Sequence, residues 1–128
     1  MSSPTAQRLS VMPSAFAVEH LPHATLPDDD RWIALVRAPE GLTVVRETSA
    51  TGAAERWIGL YGGVTAHDLD VPGMLAAIVG PLAGAAIPVF VASTFHADLV
   101  LVPEPRGQEA MAVLEGAGHR VDTDHLPS

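Results

Sequence analysis

Apolar and polar positions change rhythm near the middle of the chain. In the first part, Phe16 and Val18 alternate with Ala17 and Glu19, and His20 falls on the same face. That two-residue period predicts a half-buried strand. Residues 22–30 form a polar stretch with two prolines and the run Asp28, Asp29, Asp30, read as a solvated loop, a helix-start signal or a divalent-ion site. Two β-rich runs follow, residues 32–37 (WIALVR) and 42–46 (LTVVR). The APEG segment at 38–41 between them predicts a hairpin connection. Residues 48–54 (TSATGAA) are small and turn-like, which marks a break. The first part is therefore expected to hold at least three strands and little helix.

After the break the rhythm lengthens. Residues 57–64 (WIGLYGGV) predict a strand weakened by Gly59, Gly62 and Gly63. Leu75, Ile78, Val79 and Leu82 share one face of a helix over residues 72–83. Asp70 and Pro72 supply a start signal for it. Pro81 lacks the N–H for an i→i−4 bond and predicts a kinked last turn. The apolar run at 87–93 (IPVFVAS) predicts a central strand, and 99–102 (LVLV) predicts the next. Ala110, Met111, Leu114 and Ala117 recur at helical spacing over residues 106–117, with Gly118 as the stop. Residues 119–122 close with a short strand.

The second part thus reads β-α-β-β-α-β. This is the α+β, ferredoxin-like order, an antiparallel sheet with both helices on one face. Phe90 and alternate residues of 87–92 are expected to be buried, with Leu75, Ile78, Leu82, Met111 and Leu114 packed over the same sheet. A unit this small gains if the first part extends its sheet or covers its open face, or if two copies pair. The expected division is 1–54 and 55–128.

The chain has 128 residues and a net charge of −8, which argues against a nucleic-acid surface. It has no Cys, so thiol catalysis and Cys-ligated metal are excluded. All seven basic residues are Arg, which excludes a Schiff-base or P-loop lysine. The N-terminus lacks a signal-peptide layout. The longest apolar stretch, 71–93, is broken by Pro72, Gly73, Gly80, Pro81, Gly84 and Pro88. A spanning helix needs about 20 continuous apolar residues, so no membrane contact and a cytoplasmic location are expected.

Several segments resemble the ACT-domain family. They are Pro72-Gly73-Met74-Leu75, the PLAGAAIPVF run at 81–90, Ser93-Thr94-Phe95, and DLVLVPE at 98–104. Within the family they are similar to small bacterial tandem-ACT proteins related to the animal cytosolic arginine sensor. The close match covers roughly residues 57–124, and the first part matches more loosely as a reduced ACT-like half. The resemblance implies a non-catalytic regulatory module that binds a free amino acid at an interface between two ACT units. It implies a homodimer, no cofactor, and a separate protein target, since no effector domain is attached. It carries a Thr-Phe-x-x-Asp pocket segment onto Thr94, Phe95 and Asp98, and a second contact region onto residues 68–74. Where many relatives carry acidic and hydroxyl residues between the aromatic and the Asp, this chain has His96 and Ala97. The bound side chain is therefore open to differ.

A free amino acid presents a carboxylate and an ammonium. Backbone N–H groups of Val71, Gly73 and Met74 at a helix start suit the first. Asp98, with Asp70 and Asp68 nearby and Thr94 adding a hydroxyl, suits the second; Phe95 walls the pocket. The plainer alternatives are that Asp70 only caps a helix and Asp98 only begins a strand. The six histidines show no metal-ligand spacing and are read as surface residues. His96 either meets an acidic ligand side chain or points to solvent. Two rival functions are a structural or interaction protein with a degenerate pocket, and a small acid–base enzyme using His96 or His67.

Overall fold

The protein is described by a computed structural model covering residues 6–23, 25–48, 55–62, 73–95 and 97–123. Its elements are β1 (Arg8–Leu21), β2 (Trp32–Ala38), β3 (Gly41–Thr48), β4 (Trp57–Gly62), α1 (Met74–Gly84), β5 (Phe90–Val91), β6 (Asp98–Pro103), α2 (Gly107–Gly116) and β7 (Arg120–Asp122). A single 3-10 turn, Glu104–Arg106, leads into α2. The predicted hairpin closes with Ala38 opposite Gly41.

The first strand is longer than its alternation suggested. Pro13 cannot donate to a ladder and hides residues 8–15 from a pattern search. The structure places Pro13 where the β1–β4 register shifts, between Val11 opposite Leu60 and Ala15 opposite Ile58. This bulge lets β1 run on. Its later residues pair with β3 and its first three with β7.

All seven strands form one sheet in the order β2-β3-β1-β4-β6-β5, with β7 paired to β1. From β4 onward the element order is β-α-β-β-α-β. In the four-strand ferredoxin-like sheet, however, the last strand would flank the first. Here β1 lies between β4 and β7, and β1 and β7 run parallel, an exception to the antiparallel expectation. The first part of the chain therefore extends the sheet by inserting into it.

Both helices cover one face. Ile78 and Leu82 of α1 and Ala110, Met111 and Leu114 of α2 share a core with Leu9, Val11, Ile58, Leu60, Val100 and Val102. The other face gathers Phe16, Val45, Leu99 and Leu101, bordered by Ile33 and Ala34 of β2 and Phe90 of β5. Those strands stand at the two ends of the sheet order, so the sheet curls over this second core.

The run at 87–93 corrects two expectations. It forms a two-residue strand at the edge of the sheet and not a central one. The Ile87 N–H is already spent on Leu82 O at the end of α1, and Pro88 has none to give. Phe90 also faces away from the helices and is only half-buried, while Val89 and Val91 pack on the helix side.

Pro81 sits inside α1, which continues to Gly84. Its missing N–H would leave Ala77 O without its helical donor. The ring Nε2 of His119 takes that place at 2.7 Å. The Gln7 N–H donates to the other ring nitrogen, Nδ1, at 3.1 Å. Accepting at Nδ1 fixes the tautomer that donates from Nε2. His119 is thus a buried structural residue, contrary to the surface reading of the histidines.

Candidate functional site

One end of the sheet brings four chain segments together. Gly62, the last residue of β4, lies opposite Leu9 in β1 and Asp98 in β6. A side-chain carbon on Gly62 would meet Leu9 Cδ2 at 2.7 Å and Gln7 Oε1 at 3.4 Å, so any larger residue would have to displace the buried Leu9 side chain. Gln7 reaches across it, its Nε2 donating to Met74 O at 2.6 Å. The starts of β1, β6 and α1 thus converge on the end of β4.

Gly73 and Met74 stand at the first turn of α1. Gly73 is the residue before the helix, with φ of 86°, a left-handed conformation that suits glycine. Among the described residues no side chain caps this end, and no acidic residue occupies the first turn. The first amides of a helix lack internal partners and carry positive potential.

Asp98 begins β6 and is only 9% exposed. The Ser93 hydroxyl donates to its Oδ1 at 2.8 Å. Among the described residues no Arg or His forms an ion pair with it. Thr94 organises the turn between β5 and β6. Its amide donates to Ala97 O at 2.7 Å, and its Oγ1 accepts from the Ala97 N–H at 3.1 Å. The Tyr61 hydroxyl lies 3.4 Å from Thr94 Oγ1. Phe95 is at the turn tip and 74% exposed. Asp68, Asp70 and Val71 lie outside the described residues, as do His67 and His96.

The structure therefore sets Gly73 and Met74 on one side of Gly62 and Asp98 on the other, with Thr94 and Phe95 beyond. Sequence reasoning missed three participants. Ser93 was visible in the Ser-Thr-Phe motif, but not as a partner of Asp98. Tyr61 was hidden in a glycine-rich strand end. Gln7 had no signal, because nothing in the sequence says that β1 inserts beside β4.

A seven-stranded sheet with two helices on one face defines a small α+β domain. The family comparison makes it particular. The ACT domain model matches residues 52–116, and the chain belongs to that family. ACT domains are generally regulatory, commonly bind small ligands such as amino acids, and often dimerise. No curated protein matches this chain. Among solved structures, the chain is similar to Atu0741 from Agobacterium tumefaciens, at 21% identity, 98% coverage of each chain and a TM-score of 0.82. It is also similar to VC0802 from Vibrio cholerae, a protein of unknown function described as a possible transport protein. That match has 22% identity, covers 91% of this chain and 92% of the other, and has a TM-score of 0.69. These two likenesses concern the fold. No helix among the described residues is long and apolar enough to cross a membrane.

Proposed function

We propose that this chain is a non-catalytic regulatory ACT protein that binds a free amino acid in the cytoplasm and passes that signal to a separate protein target. Its organisation is a reduced ACT-like half over 1–54 and an ACT domain over 55–128, acting as a homodimer. The ligand carboxylate is held by backbone N–H groups of Val71, Gly73 and Met74. The ammonium is held by Asp98 and Thr94, with Asp68 and Asp70 contributing from the loop before α1 and Phe95 closing over the ligand.

The observation that carries this reading is Asp98. A carboxylate nine-tenths removed from solvent, with a hydroxyl partner and no cation among the described residues, has unspent capacity for positive charge. The first amides of α1, which no described side chain caps, supply the complementary group. Together they suit a zwitterion better than either charge alone.

Thermal-shift screening with each standard amino acid tests the proposal. A ligand at 100 times its dissociation constant stabilises the fold by about 2.7 kcal/mol, or several degrees. Asp98→Asn keeps the shape and the acceptor for Ser93 but removes the charge, and is expected to abolish the shift while the unliganded protein stays folded. Absence of any shift across the set would favour the interaction protein with a degenerate pocket. A shift that survives in Asp98→Asn would refute the role given to Asp98.

A further inference from the structure

We propose that Ser93 is a positioning residue of the ligand site. Its hydroxyl holds one oxygen of the Asp98 carboxylate and so aims the other at the ligand ammonium. The inference rests on the amino-acid site proposed above and adds a residue to it.

The register brings the two side chains together. Phe90 lies opposite Leu101 and Val91 opposite Val100. The ladder goes on past the end of β5. The Ala92 N–H donates to Leu99 O at 2.8 Å, and the Thr94 N–H donates to Ala97 O at 2.7 Å. Ser93 therefore stands directly across from Asp98. Successive residues of a strand face opposite sides of the sheet. Val91 and Val100 pack in the core under the helices, so Ser93 and Asp98 share the face that carries α1 and α2.

The neighbours of Asp98 on that face are small. Ser93 lies across from it on one side and Gly62 on the other. No large side chain flanks the carboxylate from either strand. Asp98 is buried, whereas Ser93 is exposed and lies between it and solvent.

The two carboxylate oxygens are not equivalent. Oδ1 accepts from the Ser93 hydroxyl at 2.8 Å. Oδ2 has no hydrogen-bond partner among the described residues, yet it is not sealed off. Among those residues, Arg56 Nε is the one side-chain atom that is both fully buried and unpartnered. Oδ2 therefore keeps contact with solvent and is the oxygen a ligand can reach. The last torsion of an aspartate is broad, so a carboxylate without such a bond has to be ordered when the ligand arrives. Ser93 meets that cost in advance. The turn does not need this bond to close, because Thr94 and Ala97 already hold it through the amide of each.

Isothermal titration of the full chain with the standard amino acids, well below its melting temperature, tests the proposal. The variants are Ser93→Ala, Ser93→Thr and Asp98→Asn. Ser93→Ala is expected to weaken each amino acid that the wild-type chain binds by about tenfold, the share of one hydrogen bond to a charged group. Ser93→Thr keeps the hydroxyl on a residue that suits a strand and is expected to recover most of the loss. A merely structural serine would lower the melting temperature and leave these affinities alone. Binding that Asp98→Asn abolishes and Ser93→Ala leaves intact would overturn the role of Ser93 while the amino-acid site stands. A loss that Ser93→Thr does not recover, or a Ser93→Ala chain that fails to fold, would overturn it as well. A wild-type chain that binds none of the amino acids would overturn both readings together.

Discussion

His119 and Pro81 form a coupled pair whose energy is measurable. Replacing His119 with Leu removes the donor to Ala77 O and the acceptor for the Gln7 N–H. A buried backbone group left without a partner costs about 1–3 kcal/mol. Gln7 is half-buried, so water reaches its amide and the lower end applies there. The expected loss is about 2–4 kcal/mol, or near ten degrees in melting temperature for a domain of this size. Pro81→Ala changes the outcome. The substitution would bring back the helical N–H that Pro81 lacks, and Ala77 O would accept it. In that background His119→Leu orphans only the Gln7 amide and costs about 1–2 kcal/mol. A double-mutant cycle read by urea unfolding should therefore show a coupling of about 1–2 kcal/mol, with similar m-values for all four proteins. Additivity within about 0.5 kcal/mol would refute the idea that His119 replaces the proline's missing donor.

The two helices end in the same hydrogen-bond pattern, which gives a matched test. Ile87 N–H donates to Leu82 O and Ala86 N–H to Ala83 O; His119 and Gly118 repeat this with Leu114 and Glu115. The left-handed residue is Gly118 in α2, with φ of 100°, but Ala86 in α1, with φ of 59°. Ala86→Gly should raise stability in urea melts by about 0.5–1 kcal/mol, and Gly118→Ala should lower it by about 1 kcal/mol. Phe16, 1% exposed, should cost about 3–5 kcal/mol on truncation to Ala, and half-buried Phe90 only about 1–2 kcal/mol, checked in the same melts. The Arg46 side chain, hydrogen-bonded to Asp29, holds that carboxyl below the usual carboxylate range. A depressed folded-state value means that the pair's stabilisation is present above the unfolded value and is lost as pH falls through the folded one. NMR titration of Arg46→Ala should move Asp29 upward toward an ordinary aspartate, and an unmoved titration would contradict the assignment.

Elements with strong local signals were legible in the sequence. The 38–41 hairpin, both helices and the Gly118 stop each rest on residues close together in the chain. The errors arose where a local signal was overruled at long range. Pro13 interrupts the alternation of β1, yet the pairing of β1 with both β3 and β4 holds the strand around it. Pro81 leaves Ala77 O without its helical donor, and a histidine 38 positions later, invisible to local pattern, supplies one. The apolar run at 87–93 reads as a central strand because both of its faces meet apolar side chains. Burial on two faces is also open to an edge strand when a sheet curls, and composition does not distinguish the cases.

The candidate site follows the same division. Asp98 and Thr94 could be named from the sequence because they sit in one segment six residues long, Ser93 to Asp98. Gln7 could not, because its place beside Met74 depends on where β1 enters the sheet. That insertion has a physical consequence for the site. In a sheet where β7 flanked β4 directly, the corner at Gly62 would be lined only by residues of the second part. With β1 between them, the first part supplies Gln7 to that corner, and its amide ties β1 to His119 and through it to α1. Met74, at the first turn of α1, is thus bonded directly to the residue that leads into β1, whose later residues pair with β3. The hydrogen bonds of Gln7 thus link the first turn of α1 to a strand of the first part.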